Sequence, residues 1–268
     1  KINKTFFLKL SMAFIDIHSH LDLCKNISKV IENARKLNVK ILTYGVNSKS
    51  NREILELKEK FPEINLALGI YPIDALKLSE REIISEIEFI KKNKDKIIAI
   101  GEVGIDLMEN SEQTLEIQKE NLKKFVNLAR ELNVPIIIHS RKAEKECVNL
   151  LEKLNYNKII MHCFSGNMKL VERIINNQWY LSIPANVKHS EHFQKIVEKT
   201  SIKQLFCETD SPFLHPDKLR DNEPANVLES YKKIAEIKKM SLNQVEKIIE
   251  NNYKRLFKRL IKEEYIIL

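Results

Sequence analysis

The chain has 268 residues, 43% of them hydrophobic and 31% charged, which is too apolar for a disordered chain and long enough for one large α/β barrel or two small domains. Lysine and arginine exceed aspartate and glutamate by 45 to 37, a net charge of +8. That excess is compatible with an anionic partner such as nucleic acid, but solvated helix faces are the favoured explanation, as in YKKIAEIKK and YKRLFKRLIKEE. Cys24, Cys147, Cys163 and Cys207 stand far apart with no CxxC pair. This argues against a disulfide scaffold or a cysteine zinc site and fits a reducing cytoplasm. No run approaches the roughly eighteen apolar residues of a membrane span.

At the start, KINKTFFLKLSMAF imitates a secretion signal, but Lys9 interrupts its apolar stretch and no small-residue cleavage site precedes the first strand. Residues 1–11 are therefore read as an upstream extension, Met12 as a natural start, and 12–268 as one domain. Eight strands are predicted in order: FIDIH (14–18), KILTYG (40–45), INLALGI (64–70), KIIAIGE (96–102), PIIIH (135–139), KIIMH (158–162), WYLSI (179–183) and QLFCE (204–208). Amphipathic helical patterns lie between them. The clearest runs over 112–132, where Leu115, Leu122, Phe125, Ala129 and Leu132 form one apolar face behind Ser111 as a cap. Near the end, Leu242, Val245, Ile249, Leu256 and Leu260 repeat the pattern, and DNEPAN begins a helix with Pro224 in its first turn.

Several strands are apolar on both faces, as covered parallel strands are, and the connections are long enough for helical crossovers. Eight such units predict a single-domain α/β fold, a (β/α)8 TIM barrel. With five glycines and no GxGxxG after any strand, a dinucleotide-binding sheet is disfavoured.

A barrel carries its active site at the C-terminal ends of its strands, and chemistry-bearing residues collect there. His18 and His20 follow strand one, Glu102 ends strand four, His139 strand five and His162 strand six, and Asp210 follows strand eight. Residues at i and i+2 share a face, so His18 and His20 can hold one metal, with Asp16 on their side. An isolated H-x-H is more readily a pair of core or surface histidines; convergence from several strand ends reverses that reading. Glu102 can bridge two cations, with His139 and His162 completing the second site, and a cation pair suits hydrolysis. Asp210 can serve as ligand and as proton acceptor, or simply cap the turn before Pro212. Arg141 suits a phosphate by paired hydrogen bonds or a surface ion pair. Glu208 shares the face of Asp210 and is assigned to substrate. Cys163 is rejected as a nucleophile, because it follows a ligand at a strand end and faces away. His189, His192 and His215 read as surface histidines. Imidazole-rich ligation fits zinc, manganese or nickel, with magnesium or manganese as working ions.

The blocks IDIHSHLD, GEVGID, QKENLKKFVNLARELNVPIIIHSR, HCFSG and ETDSPFL followed by NEPANV resemble, in order, those of the TatD family of metal-dependent deoxyribonucleases, from about residue 14 to the end. The resemblance implies a barrel with two divalent cations that cleaves phosphodiesters of DNA, often as a 3′ to 5′ exonuclease on single-stranded or accessible ends. By position, His18 and His20 correspond to ligands of one metal, Glu102 to the bridge, His139 and His162 to ligands of the second, and Asp210 to a ligand and base. Two positions depart from the family pattern. GIYP sets Tyr71 where a phosphate-contacting histidine is usual, so Tyr71 is expected to touch substrate without the charge of an imidazole. Leu107 stands where an aromatic is frequent, removing a base-stacking surface. Two other readings remain: a hydrolase of ester or amide bonds, as in aminoacyl-tRNA editing, and a non-catalytic nucleic-acid-binding barrel.

Overall fold

A computed structural model describes residues 13–108 and 112–257; the extension 1–11, Met12, the Ser111 cap and Leu260 lie outside the described residues. All eight predicted strands are present: β1 (Phe14–Ser19), β2 (Val39–Gly45), β3 (Asn65–Leu68), β4 (Ala99–Gly104), β5 (Ile136–His139), β6 (Ile159–Met161), β7 (Tyr180–Pro184) and β8 (Leu205–Glu208). They form one parallel sheet in sequence order, β1 to β8. Around it run α1 (Ile27–Lys36), α2 (Ser48–Lys60), α3 (Pro72–Ala75), α4 (Glu80–Lys92), α5 (Leu115–Leu132), α6 (Glu144–Leu154), α7 (Met168–Asn176), α8 (Glu191–Lys199), α9 (Leu228–Lys238) and α10 (Leu242–Leu256). The helices start where the sequence supplies caps. Reciprocal capping boxes begin α2 at Asn47 and Ser50, α4 at Ser79 and Glu82, and α10 at Ser241 and Gln244, each satisfying two backbone donors that the first turn leaves free. Pro224 opens a short 3-10 turn that leads into α9.

Strands such as β5, whose Ile136, Ile137 and Ile138 are all fully buried, are wrapped on both faces. This is why they read as continuous apolar runs rather than alternating ones. The sheet closes through its ends. Ser19 and Ser211 form an isolated parallel bridge, the Asp210 amide donates to the His18 carbonyl at 2.9 Å, and the His20 amide donates to the Ser211 carbonyl at 2.7 Å. Buried Asp16 accepts from the Thr209 amide at 2.8 Å and from its hydroxyl at 2.6 Å. Closure is therefore made by the same residues that flank the histidines, so the first and last chemistry-bearing segments are fastened to each other.

The regular ladder breaks at two places. One is between Asp16 and Ser19 on β1, the other between Ile100 and Val103 on β4. Such irregularities re-aim side chains, and here they flank His18 and Glu102. The latter was expected to end its strand, but β4 continues to Gly104. Gly104 pairs with His139 at φ +158, and a Cβ there would sit 1.9 Å from the His139 carbonyl oxygen. Only glycine lets β4 approach the end of β5 so closely. Gly104→Ala is expected to destabilise the barrel by about 2 kcal/mol or more, measured by chemical denaturation; an unchanged midpoint would contradict the close approach.

Candidate metal centre

β4 delivers Glu102 to the middle of the C-terminal rim, 4% exposed, and its two oxygens face different partners. Oε2 lies 3.5 Å from His18 Nε2 and 3.6 Å from His20 Nε2. Oε1 lies 2.7 Å from His139 Nδ1 and 3.7 Å from His162 Nε2. The two imidazoles of the H-x-H meet at Nε2 to Nε2, 3.2 Å, and Asp210 Oδ1 is 3.7 Å from the first and 3.4 Å from the second. Asp210 reaches this position from a left-handed backbone, φ +55, a conformation aspartate tolerates better than most residues.

These distances bear on whether a cation fits. Two donors each about 2.1 Å from a shared ion at a tetrahedral angle lie about 3.4 Å apart; His18 and His20 Nε2 are 3.2 Å apart, and each is 3.4 to 3.7 Å from Glu102 Oε2 and Asp210 Oδ1. Among the described residues, three overlapping donor groups could hold an ion: His18, His20 and Glu102; Glu102, His139 and His162; and His18, His162 and Glu208. The donor chemistry, imidazole with carboxylate, fits a divalent transition metal.

Charge points the same way. Burial raises Glu102, but hydrogen bonds and charges of His139 and His18 overcome it and hold the carboxyl well below its usual range. Burial also opposes ionisation of Asp210, and His20 with its neighbours brings it down. For His162, burial lowers and the Glu208 charge and hydrogen bond raise, to about 10. His20 and His139 are likewise raised against burial by their carboxylate partners. His18 is the exception, lowered by burial and then by the charge of His162, whose ring stacks on it at 3.8 Å. The pocket thus holds its carboxylates ionised and attracts positive charge that protons and divalent cations would compete to supply.

The six residues expected as ligands lie close together here, five of them in the donor groups above and Asp210 beside His18 and His20. Three residues assigned to substrate stand differently. Arg141 is exposed and lines a groove of about 500 Å³ with Met108, Lys142, Lys145 and Gly166. Glu208 is fully buried: its oxygens accept from His162 Nδ1 at 2.9 Å, from the Cys163 amide at 3.0 Å and from the Ser182 hydroxyl. That is a place behind an imidazole rather than on the substrate side, because β8 points this carboxylate inward. Tyr71 is half-buried, and its hydroxyl donates to Asp106 at 2.6 Å. The Cys163 thiol is held protonated, first by burial and then by the Glu208 charge. His189 is exposed, while His192 and His215 are half-buried; His192 bonds the Phe164 carbonyl.

Sequence reasoning missed Asp106, Tyr44 and Thr209. Asp106 is 1% exposed, and burial is overcome by hydrogen bonds from His139 and Tyr71, which take its carboxyl to about 2. Tyr44 stacks on His18 at 4.2 Å from the face opposite His162 and anchors its own hydroxyl on the Ile17 carbonyl. The only signal for Asp106 was its place two residues past the end of β4, where a barrel keeps its chemistry.

A parallel eight-stranded barrel with imidazoles and carboxylates gathered at the C-terminal rim defines the class of metal-dependent hydrolase barrels. The chain belongs to the TatD-related DNase family, whose model matches residues 15–258. Among its relatives, an uncharacterized metal-dependent hydrolase of Methanocaldococcus jannaschii is 37% identical over 252 residues, covering 92% of this chain and 98% of that one. The deoxyribonuclease TATDN3 of Homo sapiens is 30% identical over 263 residues, covering 93% and 96%. The solved structure of YJJV, a TatD homologue from Escherichia coli, is similar with a TM-score of 0.84 at 22% identity, covering 91% of this chain and 98% of that one; that likeness establishes the barrel fold. No helix among the described residues is long and apolar enough to cross a membrane.

Because three of the imidazoles hold protons above their ordinary pH, a metal must displace them to reach the lone pairs. Zinc affinity is therefore expected to rise with pH from near 6.5 toward His162's value of about 10, with protons released on binding. Calorimetry in buffers of different ionisation enthalpy counts those protons, and binding without release would contradict the charge balance.

Proposed function

We propose that this chain is a two-cation phosphodiesterase acting on DNA, working as a 3′ to 5′ exonuclease on single-stranded or accessible ends. The observation that carries the reading is the division of Glu102, with Oε2 turned to His18 and His20 and Oε1 to His139 and His162. A single carboxylate offering one oxygen to each of two donor sets is what bridging requires. On this reading His18, His20 and Asp210 hold one ion and His139 and His162 the other, with Glu102 shared. When bound, divalent cations would lower the pKa of water and neutralise charge developing on phosphoryl oxygens.

The residues' own work is set by their exposure and charge. Asp210 has the most open side chain of the six, 17% exposed against 12% or less for the others, and it is held ionised. Its carboxylate can therefore also accept the proton that an attacking water gives up. Arg141, exposed in its groove two residues after His139 in the chain, suits a phosphate next to the one being cleaved, with its planar donors in matching geometry. Phe213 is 53% exposed with its ring 6.3 Å from that of His20, and it offers a face on which a terminal base can stack. Leu107 packs against the core. The net charge of +8 favours a polyanion over a neutral ester, and the name of the human relative, a deoxyribonuclease, supports DNA. We assign the work to the cytoplasm on four free cysteines.

Glu102→Ala is expected to abolish metal-dependent digestion of end-labelled single-stranded DNA while leaving the circular dichroism spectrum of the barrel intact; full activity in metal-stripped protein would refute the mechanism. Phe213→Ala is expected to raise KM for DNA about tenfold and to leave hydrolysis of a small chromogenic phosphodiester unchanged. Equal loss on both substrates would remove the stacking role.

A further inference from the structure

The ring of His139 is gripped from both ends. Its Nδ1 is 2.7 Å from Glu102 Oε1, and its Nε2 is 2.8 Å from Asp106 Oδ2. We propose that Asp106, braced by Tyr71, is a positioning residue that takes the Nε2 proton of His139 as a hydrogen bond, so that Nδ1 is the nitrogen left facing the Glu102 pocket. The inference rests on reading that pocket as a cation site.

A neutral imidazole carries one N–H, and whichever nitrogen lacks it is the ligand. If Nδ1 lends its lone pair beside Glu102, the proton must sit on Nε2, where it needs an acceptor because the ring is enclosed. Asp106 is that acceptor, and it is held in place with little freedom. Its Oδ1 accepts the Met108 amide at 2.8 Å, and its Oδ2 accepts the Tyr71 hydroxyl at 2.6 Å. Gln118, from α5, clamps its backbone on both sides: Asp106 N donates to Oε1 at 2.8 Å, and Asp106 O accepts from Nε2 at 3.0 Å. Tyr71 also lies edge-on to the His139 ring, 4.9 Å between centroids. A phenol has one proton to donate, and here it is engaged by Asp106. The tyrosine at the GIYP position is therefore a brace for a ligand rather than a contact for phosphate.

The other half of the centre makes the assignment specific. His162 has an equivalent partner in Glu208, which takes its Nδ1 at 2.9 Å and leaves Nε2 toward Glu102. Buried Nδ1 atoms of His18 and His20 have no hydrogen-bond partner. The two imidazoles of one pocket are thus each oriented by an outer carboxylate, and those of the other are not. Loss of Asp106 should be felt at one of two ions and not at both.

The test is calorimetric titration of metal-stripped wild type, Asp106→Asn and Tyr71→Phe with Zn²⁺, with thermal melts to establish that each variant is folded. Asp106→Asn is expected to weaken one of two zinc equivalents 10- to 100-fold and leave the other unchanged. Tyr71→Phe is expected to weaken the same equivalent by less. Long-range ¹H–¹⁵N spectra of the zinc-loaded wild type are expected to show His139 protonated at Nε2. Unchanged affinity for both equivalents in folded Asp106→Asn overturns the proposal, as does a Tyr71→Phe enzyme with raised KM and wild-type zinc affinity. A wild type that binds fewer than two zinc ions defeats the two-cation reading instead. The positioning role is then judged by the ring spectra, where an Nδ1-protonated His139 overturns it.

Discussion

A carboxylate 4% exposed in the middle of a barrel rim cannot remain charged without compensation, and Glu102 sets the terms for everything around it. The cost of burying an unpaired carboxylate runs to several kcal/mol. The structure meets it with four imidazoles within 3.7 Å of its two oxygens. His18, His20 and His162 are buried as well and His139 is half-buried, and most of them need partners of their own, which bring in Asp210, Asp106 and Glu208. Polar groups thus recruit further polar groups outward until the chain reaches backbone amides such as those of Cys163 and Met108 or neutral side chains such as Ser182 and Gln118.

Geometry obeys the same demand. To bring donors from β1, β4, β5 and β6 and from the segment after β8 onto one carboxylate, the strands must bend out of ideal register, and they do so beside His18 and Glu102. The close approach of Gly104 to His139 and the fastening of Asp16 to Thr209 hold those departures in place. Without the seam between β1 and the segment after β8, the H-x-H and Asp210 would belong to opposite ends of the chain with nothing to keep them 3.4 Å apart.

Much of this was legible in advance because barrels separate their tasks. Apolar strand runs encode the wall, and the residues at and just past each strand end encode the chemistry, so His139 and Asp210 stand out against otherwise apolar segments. The residues that were misjudged or missed are those whose role lies in a contact rather than in a position. Glu208 looks, in sequence, like a second acidic group beside Asp210, and only the inward turn of β8 shows it behind His162. Asp106 reads as the last letter of GEVGID, and nothing in sequence shows that the Tyr71 hydroxyl meets it. Their hydrogen bond spans thirty-five positions, and no local pattern reports such a pairing.

The sequence by itself determined that this is an eight-fold α/β barrel with a histidine and carboxylate centre at one rim, since periodicity and strand-end placement are local properties that a chain carries in its order of residues. Tertiary structure decided which nitrogen of each imidazole faces Glu102, which carboxylates face the centre and which stand behind it, and how β1 meets the segment after β8. Those matters depend on distances of about 3 to 4 Å between segments far apart in the chain, and such distances exist only once the strands have closed.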